Sequence, residues 1–119
     1  LSFYNKIDLA LDTFPYNGVT TTFESVLMGV PVLTLKGFNF NSRCGESINK
    51  NLELENFIAE NYDDYYFKAF NFYENKNYLN DLRKVLRNKA ILSPLFDNTN
   101  FASVFSEKMK IVWDNFLKG

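Results

Sequence analysis

Apolar positions cluster into two short runs near the start of the chain and recur at spacings of three and four after residue 61. The first run, Ile7-Asp8-Leu9-Ala10-Leu11-Asp12, ends on an acid and is followed by the turn formers Pro15, Asn17 and Gly18. That is the pattern of a buried strand feeding a loop. From about residue 21 to residue 28 the side chains suit one helix, and Gly29 with Pro31 supplies its stop signal. The second run, Val30-Pro31-Val32-Leu33-Thr34-Leu35, is rich in β-branched residues and bounded by Gly37, so it predicts a second buried strand. A helix over roughly 42–51 and a third short strand at 56–59 follow. Strand, helix, strand with a short crossover predicts parallel pairing in a right-handed α/β unit.

The rest of the chain reads as helices. Tyr62, Tyr65, Tyr66, Ala69, Phe70 and Tyr73 form one helical stripe. Residues 78–91 place Tyr78, Leu82, Val85 and Leu86 on one face and leave Asp81, Arg83, Lys84 and Arg87 solvated, until Ser93-Pro94 breaks the helix. A last helix over about 100–117 aligns Phe101, Val104, Phe105, Met109, Val112 and Phe116, with Trp113 beside them. No repeat, low-complexity tract or flexible linker divides the chain. The expected organisation is one α/β unit, residues 1–60 carrying strand-helix-strand and residues 61–119 carrying helices.

Composition narrows the function classes. The 119 residues are 46% hydrophobic and 23% charged, which is globular rather than disordered. A formal net charge of −1 offers no broad footprint for nucleic acid or an anionic membrane. No apolar run approaches the roughly 20 residues of a membrane span. A single cysteine, Cys44, fits a reducing, cytoplasmic setting. The chain holds no histidine, which removes Ser-His and Cys-His catalysis and leaves no conventional structural zinc ligand set. No metal and no cofactor are expected.

The segment Asn17-Gly18-Val19-Thr20-Thr21-Thr22-Phe23-Glu24 carries the candidate chemistry. A strand ending in Asp12, a glycine-containing loop and a helix start present backbone N–H groups without intrahelical partners, and the helix dipole favours an anion there. Thr20, Thr21 and Thr22 add hydroxyls, and Gly18 lets the backbone approach a diphosphate closely. Glu24, expected within the first turn, can accept hydrogen bonds from a ribose diol. Thr21-x-x-Glu24 also spells a capping box, and on these residues alone a simple helix cap accounts for them.

Leu11-Asp12-Thr13, Asn17-Gly18, Thr20-Thr21, Glu24 and Gly29-Val30-Pro31 resemble, in order and without gaps, a signature of the O-GlcNAc transferase and SPINDLY family. The likeness continues through Val32-Leu33-Thr34, Ser42-Arg43 and Ser93-Pro94-Leu95-Phe96. It implies the later part of a Rossmann-like GT-B C-terminal domain, in which Thr20 and Thr21 contact the donor diphosphate and Glu24 holds the ribose. It implies UDP-GlcNAc as donor, metal-independent inverting transfer to Ser or Thr of a protein acceptor, and attachment to an N-terminal catalytic domain and tetratricopeptide repeats. Members that use GDP-fucose share the signature. The animal enzymes carry histidine where this chain has Val19. The implied catalytic groups lie outside this chain, so the chain alone is expected to be inactive.

Other side chains carry a second rank of expectation. Arg43 and Lys36 are candidates to meet phosphate or acceptor, and Tyr16 to cover the base or sugar. Asp12 reads as a loop cap, the tyrosine stripe as an interface with the missing domain, and Cys44 as a small buried thiol. A non-catalytic α/β binding or scaffolding module is the competing class.

Overall fold

The computed structural model describes residues 2–119 and confirms the α/β expectation. Its strands are β1 (Ala10–Leu11), β2 (Val32–Leu35) and β3 (Ile58–Ala59). Its helices are α1 (Thr20–Leu27), α2 (Cys44–Asn51), α3 (Tyr62–Glu74), α4 (Lys76–Leu92) and α5 (Asn98–Leu117). Single 3₁₀ turns occupy Ser2–Lys6, Phe40–Ser42, Glu55–Phe57 and Pro94–Phe96.

The sheet runs in the order β1-β2-β3, with both pairings parallel. Ala10 aligns with Val32 and Leu11 with Leu33, while Thr34 aligns with Ile58 and Leu35 with Ala59. All four residues of β2 are buried. Successive side chains of a strand point to opposite faces, so β2 is covered on both. That is why its sequence is a continuous apolar run rather than an alternating one. Leu33, Val26, Ile48, Leu52, Phe57 and Leu86 sit at the heart of one core drawn from sheet and helices. Phe57 stacks on Phe72 with ring centroids 4.2 Å apart, which pins α3 to the turn before β3.

The strands are shorter than their apolar runs. Only two residues of the 7–12 run pair, and Leu11 is exposed on the open edge of the sheet. Gly29, at φ +80°, closes α1 as a left-handed residue just past its last turn, as the glycine stop signal requires.

Helical faces needed more correction than helix positions. On α3 the buried side chain is Phe72, with Tyr65 and Ala69 packed against the core, whereas Tyr62, Tyr66, Phe70 and Tyr73 are exposed. On α4 the inward residues are Leu79, Leu86 and Ala90 with Leu82, and Val85 points outward. Arg83, expected in solvent, instead donates to the carbonyls of Ile7 and Tyr4 and ties the opening segment to α4. The α5 stripe exists, but α5 buries none of its residues. Periodicity locates an amphipathic helix, while the register of its buried face depends on what it packs against. Among the described residues no helix is long and apolar enough to cross a membrane.

Candidate functional site

The loop between β1 and α1 is held from below by two side chains. Asp12 directly follows β1, and its Oδ1 accepts the N–H of Gly18 at 2.8 Å and of Thr13 at 3.0 Å. Its Oδ2 accepts the Thr34 hydroxyl of β2 at 2.8 Å. Burial pushes the Asp12 carboxyl above its usual range, against the three hydrogen bonds, which favour the anion. The Tyr65 hydroxyl donates to the Asp12 carbonyl at 3.0 Å, so α3 also anchors this corner. Burial raises the Tyr65 phenol too, with the Asp12 charge adding to it.

Asn17 is the second fastener. It is only 1% exposed, its amide donates to the Thr13 carbonyl at 3.0 Å, and its Oδ1 accepts the Gly45 N–H at 3.2 Å. Its backbone N–H donates to Asn41. Asn17 was expected among the donor contacts, and its side chain is instead spent on the loop and on the start of α2. Thr22 is likewise buried, its hydroxyl donating to the Gly18 carbonyl at 2.9 Å. Gly18 gives its N–H to Asp12, so what it offers a ligand is close approach alone. A Cβ at Gly18 would come within 2.5 Å of the Thr21 hydroxyl and 3.2 Å of the Thr22 hydroxyl.

What remains for a ligand is the outer face of the first turns of α1. The cap position is Val19, which supplies no side-chain hydrogen bond. Thr21 therefore lies inside the helix, and the capping box expected of Thr21 and Glu24 does not form. The reason is positional: the helix begins one residue earlier than the pattern suggested, which also moves Glu24 beyond the first turn. Thr20, Thr21 and Glu24 are all exposed and share a face by their spacings of four and three. Thr22, Ser25 and Val26 face inward. Helix start, free hydroxyls and one carboxylate thus converge where an anion and a diol can be held together. A cleft of about 180 Å³ lies on the β1 side of Thr21, lined also by Asp12, Thr13, Gly18, Thr22 and Ser25, and does not include Thr20 or Glu24.

The remaining candidates stand apart. Tyr16 projects from the loop, 67% exposed. Lys36 pairs with Glu60 at 3.0 Å across the end of the sheet. Arg43 grips the buried Glu46 with two bonds, Nε to Oε2 at 2.7 Å and Nη2 to Oε1 at 3.1 Å, and Lys50 reaches the same carboxylate at 2.8 Å. The Arg43 hydrogen bond is the main reason the Glu46 carboxyl falls to about 2. Arg43 also borders a cleft of about 600 Å³ with Val19, Phe23, Phe40, Cys44 and Leu95, whose lining is mostly apolar. Cys44 is half-buried, its thiol directed at the Phe40 carbonyl. Among the described residues no group of three or more acidic or cysteine side chains could hold a metal ion.

Asp12, expected as a loop cap, fastens the loop as expected and also ties it to β2. Its signal was the acid at the end of an apolar run, but its three partners at Thr13, Gly18 and Thr34 are visible only in the fold.

Comparison with known proteins gives the family. The sequence profile of Glycosyl transferase family 41 matches residues 5–105. A tomato (Solanum lycopersicum) protein named "Probable UDP-N-acetylglucosamine--peptide N-acetylglucosaminyltransferase SPINDLY" is 37% identical over 98% of this chain. The Arabidopsis thaliana protein of the same name is 34% identical over 98%. The chain spans only 12% and 13% of those relatives. A solved structure of the Thermobaculum terrenum O-GlcNAc transferase, a K341M mutant, superposes with a TM-score of 0.87 at 31% identity, covering 96% of this chain and 22% of that one. The fold is therefore that of a segment of the O-GlcNAc transferase catalytic region, and this chain belongs to glycosyl transferase family 41.

Proposed function

We propose that this chain is the donor-binding part of a nucleotide-sugar-dependent protein O-glycosyltransferase, with UDP-GlcNAc as the donor. The observation that carries the reading is the uncapped start of α1, with Thr20, Thr21 and Glu24 exposed on one face above a loop whose Asn17 side chain and Gly18 N–H are already paired. The first N–H groups of α1 and the two threonine hydroxyls would hold the diphosphate, and Glu24 the ribose diol. During transfer the same groups would stabilise the departing nucleoside diphosphate, so that the helix end and its donors take the place of a metal. The names of the relatives support a peptide acceptor and a UDP-GlcNAc donor.

In this reading transfer is inverting, goes to Ser or Thr, and takes place in the cytoplasm. The catalytic groups and the acceptor groove belong to other parts of the polypeptide, including an N-terminal catalytic domain and tetratricopeptide repeats. Titration of the intact polypeptide with UDP and with GDP tests the donor, and Glu24→Ala tests the site. UDP should bind more tightly than GDP, and Glu24→Ala should weaken UDP about tenfold at unchanged Tm, because Glu24 caps nothing. Tighter GDP binding would turn the assignment to a GDP-fucose-dependent transferase. Unchanged UDP affinity in Glu24→Ala would sink the site and favour a non-catalytic module.

A further inference from the structure

We propose that Asp12 is a positioning residue for nucleotide binding: its carboxylate sets the loop from Thr13 to Gly18 so that the N–H groups opening α1 face the ligand. This rests on the reading of the α1 start as the donor site. The geometry is specific to that task. One carboxylate oxygen closes a ring across six residues, from just past β1 to the Gly18 N–H at 2.8 Å, and also takes the Thr13 N–H. The other oxygen is fixed by the Thr34 hydroxyl from the neighbouring strand. Gly18 lies two residues before the first residue of α1, so fixing its peptide plane fixes the direction in which the helix sets out. The Gly18 N–H, withdrawn by Asp12, cannot compete for the ligand, and the anion is left to the donors of Thr20 and its successors.

The backbone of α2 closes on the carboxylate from the other side, and a Cβ built on Gly45 would lie 2.7 Å from Asp12 Oδ2. Asp12 is accordingly engaged with protein donors on both oxygens, which separates it from Glu24, whose carboxylate is exposed. The inference also specifies which substitution should be tolerated. Asparagine keeps an acceptor for the two N–H groups and can donate to Thr34, whose hydroxyl accepts as well as donates. Alanine keeps neither.

The test uses the intact polypeptide, UDP titration and hydrogen exchange over the segment 13–23. Asp12→Ala should weaken UDP about tenfold or more and speed exchange in that segment, while Asp12→Asn should stay within about threefold of wild type on both counts. Leu86→Ala, which removes a core side chain on α4, serves as the control: it should lower Tm and leave UDP affinity unchanged. Three results would overturn the proposal. In one, Asp12→Ala exchanges faster yet binds UDP like wild type. In another, Asn and Ala lose affinity equally. In the third, Leu86→Ala loses affinity in proportion to its lost stability, as Asp12→Ala does. Failure of wild type to bind UDP would instead remove the donor-site reading on which the proposal stands.

Discussion

Asn17 and Gly45 lie 28 positions apart in the chain, yet the Asn17 Oδ1 accepts the Gly45 N–H at 3.2 Å in a buried site. The same side chain donates to the Thr13 carbonyl, so one amide joins the loop before α1 to the start of α2. Asn17→Ala should cost about 1–3 kcal/mol, chiefly for the buried Gly45 N–H left unpaired, since Thr13 is exposed and water can reach its carbonyl. Chemical denaturation measures it, and a loss below half a kcal/mol would show that the amide is not a fastener.

Gly45 is also constrained by space. A methyl group there would lie 2.7 Å from Asp12 Oδ2 and would collide with the Thr34 side chain. Gly45→Ala should therefore disturb the contact between Asp12 and Thr34 rather than simply favour the helix, as alanine does elsewhere. The expected outcome is a lower Tm with faster hydrogen exchange in residues 13–18; a rise in Tm would contradict the packing described for this corner.

Gly29 is constrained by conformation. Its φ of +80° is a left-handed value, and a Cβ would also approach the Arg83 carbonyl to 3.0 Å. Gly29→Ala should destabilise by about 1–2 kcal/mol, measured as a shift of the urea midpoint at unchanged slope.

Acid should act through Glu46. Held by Arg43 and Lys50, its carboxyl titrates at about 2 in the folded chain, against an ordinary value of 4.5. A depressed folded value stabilises above the unfolded one, so the contribution is complete above about pH 5 and fades as pH falls from about 4.5 towards 2. Glu46→Gln should lose stability at pH 7, and its deficit relative to wild type should shrink over that window. Asp12 works with the opposite sign, because burial raises its carboxyl and its ionisation opposes folding. Unfolding curves from pH 7 to pH 2 follow both, and a constant deficit for Glu46→Gln across the range would contradict the assignment.

Much of the architecture was legible beforehand because it rests on local chemistry. The run 30–35 reads as a buried strand, and β2, at Val32–Leu35, is one, covered on both faces. Gly29 and Pro31 marked the end of α1, and the left-handed glycine stands there. The stripes of α3 and α4 were found but partly misassigned, since Phe72 was made a core residue by its stack on Phe57 and Leu79 by the core cluster it joins. Thr20, Thr21 and Glu24 were named together from their order in the chain, and the exposed face they share follows from helical spacing alone.

By itself, then, the sequence determined the order of elements, the α/β class and the segment that opens α1, because periodicity, glycine stops and helix-end donors act over a few residues. Only the tertiary structure decided which polar groups of that segment remain free. Asn17, Thr22 and the Gly18 N–H are consumed by partners up to 28 residues away, while Thr20, Thr21 and Glu24 are left to solvent. A buried polar group must find a partner wherever the fold places one, and that pairing is settled by the approach of β2, α2 and α3 to the loop, which no local pattern encodes.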